Sequence, residues 1–104
     1  MKAIQAIVKS HRVDAVLHAL RPLSGLTGVS VSDVRGFGRG LGLKAGLQPH
    51  ARIDIVCNDD HVEHLLDAIQ KAAHTGLKGD GKIYVLPVEQ AVRVSTNERG
   101  QAAV

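Results

Sequence analysis

Aromatic side chains are nearly absent: Phe37 and Tyr84 are the only two among 104 residues, and there is no Trp. Recognition of single-stranded bases depends on stacked rings, so no nucleic-acid partner is expected. Cysteine is equally scarce. Cys57 alone builds neither a disulfide framework nor a cysteine-rich zinc site, and it fits a reducing cytoplasm. No apolar run approaches the ~18 residues of a membrane span, so direct membrane insertion is not expected. The opening MKAIQAIVKSHR is too short and too alternating in its apolar stretch for a secretory signal. Neither sign of charge dominates: 13 Lys and Arg stand against 10 Asp and Glu, a net +3. What remains, 44% apolar and 22% charged, describes one small globular domain over 1–104. A core of that size is marginal, and self-association would add to it.

The apolar pattern orders the elements. Residues 3–9 (AIQAIVK) are short and β-branched, a first strand. Ser10 can cap a helix whose stripe is Val13, Val16, Leu17 and Leu20. Pro22 and Gly25 stop it. Val29–Arg35 alternates at period two, as does Arg52–Cys57, and the glycine-rich 36–50 between them reads as a loop. Asn58 or Asp59 can cap a second helix with the stripe Val62, Leu65, Leu66 and Ile69. Residues 82–88 form a fourth strand, Val92–Ser95 a short terminal one, and the tail beyond is loosely held. The fold class is therefore α+β: a ferredoxin-like βαββαβ domain, with both helices on one face of a four-stranded antiparallel sheet. Helices on one face leave the other bare, although the first and fourth strands carry apolar residues there. The simplest cover is another copy of the chain.

Glycine is the excess, 11 residues against 3 Pro, and most lie in 36–46 and 76–81. The first stretch carries Arg35, Arg39, Lys44 and Arg52 and has no acid between Asp33 and Asp54. Backbone N–H groups freed by glycine, together with cations, suit a phosphate or carboxylate; a merely soluble connection is the competing reading. GLKGDGK at 76–82 resembles a P-loop in spacing. It has Ile83 where a hydroxyl is needed and a strand where a helix should follow, so it is not one. His61 and His64 share a helix face beside Asp60, Glu63 and Asp67, which makes them weak metal candidates against a solvated face. No Ser carries a nucleophile motif. A hydrolase would find no water-activating group better than Asp54 or His50.

Gly36-Phe37-Gly38-Arg39 after a VSVSDVR strand, TGLKGDGK after the second helix and the opening MKAIQAIVK together resemble the PII nitrogen-regulatory signal-transduction family, from Met1 to about Thr96. The resemblance implies a homotrimer that binds an adenine nucleotide (ADP, AMP or ATP) in clefts between subunits. It further implies regulation of a partner such as a transporter or metabolic enzyme through the loop after the second strand, and no catalysis. In its terms 36–50 is a shortened T-loop, 76–82 the B-loop and 93–104 the C-terminal segment. By this resemblance Ile7, Ser30 and Val56 line the adenine pocket. Gly36, Phe37, Gly38 and Arg39 wrap ribose and phosphates, and Gly79, Asp80, Gly81, Lys82 and Arg93 supply N–H groups and cations. The departures are specific: Gly40 stands in place of a Gln that helps hold Mg²⁺ and 2-oxoglutarate, and His50 in place of a Lys that meets the γ-phosphate or oxoacid. Ser95 replaces a second Arg, and the shortened loop lacks the tyrosine modified in some members. Each lost charged contact is worth about 1.5–3 kcal/mol, enough to change ligand preference: ADP or AMP is expected to bind at least as well as ATP, and 2-oxoglutarate, with the Mg²⁺ it needs, poorly or not at all. A metal-responsive sensor built on the surface histidines is the alternative.

Overall fold

A computed structural model describes residues 1–38 and 46–104. Its elements are β1 (Lys2–Lys9), α1 (Val13–Leu20), β2 (Ser30–Gly36), β3 (Gln48–Cys57), α2 (Val62–Ala73) and β4 (Gly81–Pro87). The sheet order is β2-β3-β1-β4 with every pairing antiparallel, the expected ferredoxin-like arrangement. Alternation sorts the side chains. Ile4, Ala6 and Val8 of β1 and Ala51, Ile53, Ile55 and Cys57 of β3 are buried under the helices. Val16 and Leu20 of α1 and Leu65, Ile69 and Ala73 of α2 complete that core. Burial pushes the Cys57 thiol pKa up, which fits a packing role. The opposite parity (Gln5, Ile7 and Lys9 on β1, with His50, Arg52, Asp54 and Val56 on β3) forms the open face. Tyr84 and Leu86 of β4 lie on the same side, each about half exposed. No described helix is long and apolar enough to cross a membrane.

Both expected side-chain caps are absent. Residues 10–12 and 59–61 form 3₁₀ turns ahead of the helices, and the Val13 and Val62 N–H groups donate to the Ser10 and Asp59 carbonyls. Main chain thus satisfies the donors that the caps would have served. Asp59 instead meets the Met1 ammonium at 2.9 Å, and the buried Asn58 Oδ1 has no hydrogen-bond partner among the described residues. At the other end of α2, Arg12 reaches across to the Ala72 carbonyl, its Nε donating at 2.9 Å. The expected loop 36–50 is shorter than its pattern suggests, because β3 starts at Gln48. Pro49 sits there opposite Arg35 of β2, beyond the end of β1, where its missing N–H costs no second ladder. The expected terminal strand 92–95 reduces to one bridge, Val92 to Arg99. The Arg93 carbonyl accepts from Asn97 N–H at 2.8 Å and turns the chain, with Asn97 at φ +61°.

Gly25 is fixed by packing. At φ +85° it closes the turn after α1, and a Cβ there would lie 2.1 Å from His61 Cγ. Its neighbour Ser24 is held through a 2.7 Å contact between its carbonyl and His64 Nε2. Gly25→Ala is expected to lower the unfolding free energy by about 1–3 kcal/mol, from the strained φ and displacement of the His61 ring. Gly28→Ala, where a Cβ meets nothing within 4 Å, is expected to change it little. Urea unfolding of both variants checks the contrast.

Candidate functional site

The functional geometry begins where α2 ends. Ala73 closes the helix, and the chain passes through a loop with Gly76 and Gly79 both at φ +83° before entering β4 at Gly81. Asp80 organises this loop from within. Its carboxylate accepts the Thr75 N–H at 2.8 Å, the Gly76 N–H at 3.3 Å and a short hydrogen bond from the Thr75 hydroxyl. Lys9 Nζ pairs with it at 3.2 Å, and His74 Nδ1 stands 3.6 Å away. The Thr75 hydroxyl first, then the Thr75 N–H and the Lys9 ammonium, hold the Asp80 carboxyl well below the usual carboxylate range. The Lys9 ammonium and the Thr75 and Gly76 donors thus offset the negative charge from within the loop.

Gly81 then passes directly over β1. At φ +110° its absent Cβ would fall 1.7 Å from the Ile7 carbonyl oxygen, so only glycine fits. This close pass sets the loop at one side of a concavity over the open face, with the end of β2 at the other side and β3 and β1 between them. The resulting concavity, about 780 Å³, gathers Ile7, Gly36, Phe37, Gly38, Gly79, Asp80, Gly81 and Lys82. Two segments more than forty positions apart in sequence thus face each other, with Phe37 half exposed at the rim. Arg35 and Arg52 share the wall with Lys82, which makes it cationic, and His50 lies among them. Arg52 is partly committed, its Nε 2.9 Å from Asp54 Oδ2. Backbone amides freed by glycine and a surplus of cations are the ingredients of an anion site.

Ser30, Val56 and Arg93 are placed elsewhere. They line a second concavity of about 560 Å³, between the start of β2, the far end of β3 and the C-terminal segment, with Ala103 and Val104 at its edge. Within one chain, then, the residues expected around an adenine divide between two concavities. Arg39 lies outside the described residues. Arg35 and Arg52, noted in the sequence as cations of the first glycine stretch, do reach this wall; sequence reasoning passed over Lys9 and Thr75, which build the loop through Asp80, and Tyr84 in the wall. The five-residue spacing of Thr75 and Asp80 was the available signal, and it carries no periodicity.

His61 and His64 do adjoin, with rings 5.3 Å apart and edge to face. Their contacts are structural, with Ser24 and the Gly25 turn, and no cluster of three or more His, Cys, Asp or Glu suited to a metal occurs among the described residues. Asp54, weighed as a water-activating group, spends its carboxylate on Arg52 and on Gln5 at 3.4 Å.

The Asp80 clamp has a pH signature. A carboxylate whose pKa is depressed on folding stabilises the loop fully above its unfolded value of about 3.9, and that support is lost as pH falls through the lower, folded value. Amide protection at Thr75 and Gly76 is expected to persist at pH about 4 and to decline only in stronger acid. In Asp80→Asn it is expected to be weak at every pH; hydrogen exchange followed by NMR reads both.

Three comparisons bear on this geometry. The family model described as nitrogen regulatory protein P-II matches residues 1–98. The nitrogen regulatory protein P-II of Azospirillum brasilense is 43% identical over 113 aligned positions covering the whole of both chains. The nitrogen regulatory protein P-II 2 of Methanothermobacter thermautotrophicus is 39% identical over all of this chain and 97% of its own. Among solved structures, Arabidopsis thaliana PII bound to citrate superimposes with a TM-score of 0.87 at 41% identity, over 99% of this chain and 91% of that one. A match along nearly the full length, in sequence and in fold alike, settles membership: this chain belongs to the nitrogen regulatory protein P-II family.

Proposed function

We propose that this protein is a regulator, not an enzyme, that binds an adenine nucleotide in a cleft completed by a neighbouring copy in a homotrimer. One observation carries the reading: Gly36–Gly38 and Gly79–Lys82 face each other across a single cationic concavity on the open face of the sheet. Glycine amides at both walls and the Lys82 ammonium give a polyphosphate charge-assisted contacts from two sides. In the assembled trimer, Ser30, Val56 and Arg93 would belong to the complementary half of the cleft. Tyr84, Leu86 and Val56, exposed on the sheet face, are the apolar surface that assembly would bury. The citrate bound to the Arabidopsis relative supports reading this chain as an anion binder.

The loop between β2 and β3 is the effector surface in this reading, in contact with a cytoplasmic partner such as a transporter or metabolic enzyme. It is short. The 113 positions aligned with the Azospirillum relative exceed the 104 residues of this chain by nine, in keeping with a reduced loop. His50 spends its ring on main-chain carbonyls 3.3 and 3.1 Å away and offers no fixed ammonium to an oxoacid. The ligand preference that follows is ADP or AMP at least as well as ATP, with Mg²⁺ and 2-oxoglutarate contributing little.

Isothermal titration tests the reading. Lys82→Ala is expected to weaken ADP binding by about 10- to 100-fold, the equivalent of one charge-assisted contact. 2-Oxoglutarate is expected to leave Mg-ATP binding unchanged in the parent protein. Tight, Mg-ATP-dependent binding of 2-oxoglutarate contradicts the ligand preference, and undiminished ADP affinity in Lys82→Ala contradicts the site.

A further inference from the structure

His50 occupies an unusual position in the wall of the concavity. It points from β3 onto the open face, half-buried, with Nδ1 3.3 Å from the Gln48 carbonyl oxygen and Nε2 3.1 Å from the Gly79 carbonyl oxygen. Carbonyl oxygens only accept, so each contact requires an N–H. A neutral imidazole has one and an imidazolium has two. The protonated ring satisfies both carbonyls; the neutral ring must turn a lone pair toward one of them. The two carbonyls adjoin the two glycine segments, since Gln48 is the register partner of Gly36 across the β2–β3 ladder and Gly79 lies in the second segment.

We propose that His50 is a protonation-dependent positioning residue: its imidazolium ties the Gly79 carbonyl to the Gln48 carbonyl, fixes the amides of residues 80–82 toward the concavity, and couples anion binding there to proton uptake. This rests on the reading above, in which the concavity receives the phosphates of a nucleotide.

The surrounding charges give the coupling its sign. Opposite His50 on β1 stands Lys9, whose ammonium is 3.2 Å from Asp80. On β2 the register partner Val34 is uncharged, and Arg35 beside it lines the same wall. Along β3, Arg52 pairs with Asp54. From β4 and its loop come Lys82, Asp80 and, farther along, Tyr84, with His74 on the far side of Asp80. Both carboxylates are already partnered, Asp80 by Lys9 and Thr75 and Asp54 by Arg52. The imidazolium therefore stands among cations whose counter-charge is spent. An arriving phosphate supplies the missing negative charge, so proton and anion favour each other's binding, and the linkage is reciprocal.

The test compares the full chain with His50→Gln and His50→Arg, titrating ADP calorimetrically in buffers of different ionisation heat at pH about 6 and about 8. Subtracting the His50→Gln values removes the protonation of ADP itself. The parent protein is expected to take up more protons per ADP than His50→Gln. The ratio of their affinities is expected to fall toward high pH, by about tenfold per pH unit at most, the limit for one proton. His50→Arg, permanently charged, is expected to bind ADP without that additional pH dependence. In the ligand-free parent, the amides of Gly79, Asp80 and Gly81 should shift in NMR spectra with the same midpoint as the His50 ring. Equal proton uptake in the parent and His50→Gln overturns the proposal while leaving nucleotide binding intact. Loop amides that ignore the ring titration overturn it as well. Loop amides that follow the ring in a protein that does not bind ADP uphold the latch and overturn the nucleotide reading.

Discussion

The register of β1 is the constraint on which everything else rests. This strand is paired along both edges, so that Ile4 lies between Ile55 and Val85, and Val8 between Ala51 and Gly81. Side chains alternate across it. Ile4, Ala6 and Val8 enter the helix-covered core, and Gln5, Ile7 and Lys9 take the open face. A slip of one residue would exchange the two sets, placing Lys9 in the core and Ile4 in solvent. The same register sets Gly81 against the Ile7 carbonyl and His50 opposite Lys9. Core and candidate site are two readings of one alternating strand.

From that strand the site is assembled by short polar links. Lys9 continues β1 to Asp80, Asp80 gathers Thr75 and Gly76, and His50 reaches Gly79 from β3. The second glycine loop is thereby held from two neighbouring strands, with its own carboxylate neutralised. The first loop leaves β2 at Gly36 and returns at Gln48, so its base is part of the sheet.

Much of this was legible in the sequence. The period-two runs at 29–35 and 52–57, the helical stripes from Val13 and Val62, and the glycine stretches were enough to give the ferredoxin-like order. The order and spacing of GFGR and TGLKGDGK pointed to the P-II family, which the comparisons then showed. What escaped did so for physical reasons. Ser10, Asn58 and Asp59 are good capping residues by type, but a 3₁₀ turn satisfied the same donors through main chain. Pro49 and His50 lack a strand's pattern, yet they extend β3 because the ladder with β2 continues past the end of β1. The Lys9–Thr75–Asp80 cluster joins residues from a strand and a loop, and no periodicity encodes such a contact. His61 and His64, suggestive as a helical pair, clasp the turn after α1.

In the proposed trimer, the two glycine segments of one subunit and Ser30, Val56 and Arg93 of its neighbour line one nucleotide cleft. The most direct measurement is an amide NMR map of the intact protein titrated with ADP. The account predicts saturable shifts at Gly36–Gly38 and Gly79–Lys82 together with Ser30, Val56 and Arg93, all with one dissociation constant. Shifts confined to either group alone, or to residues in neither concavity, would contradict it.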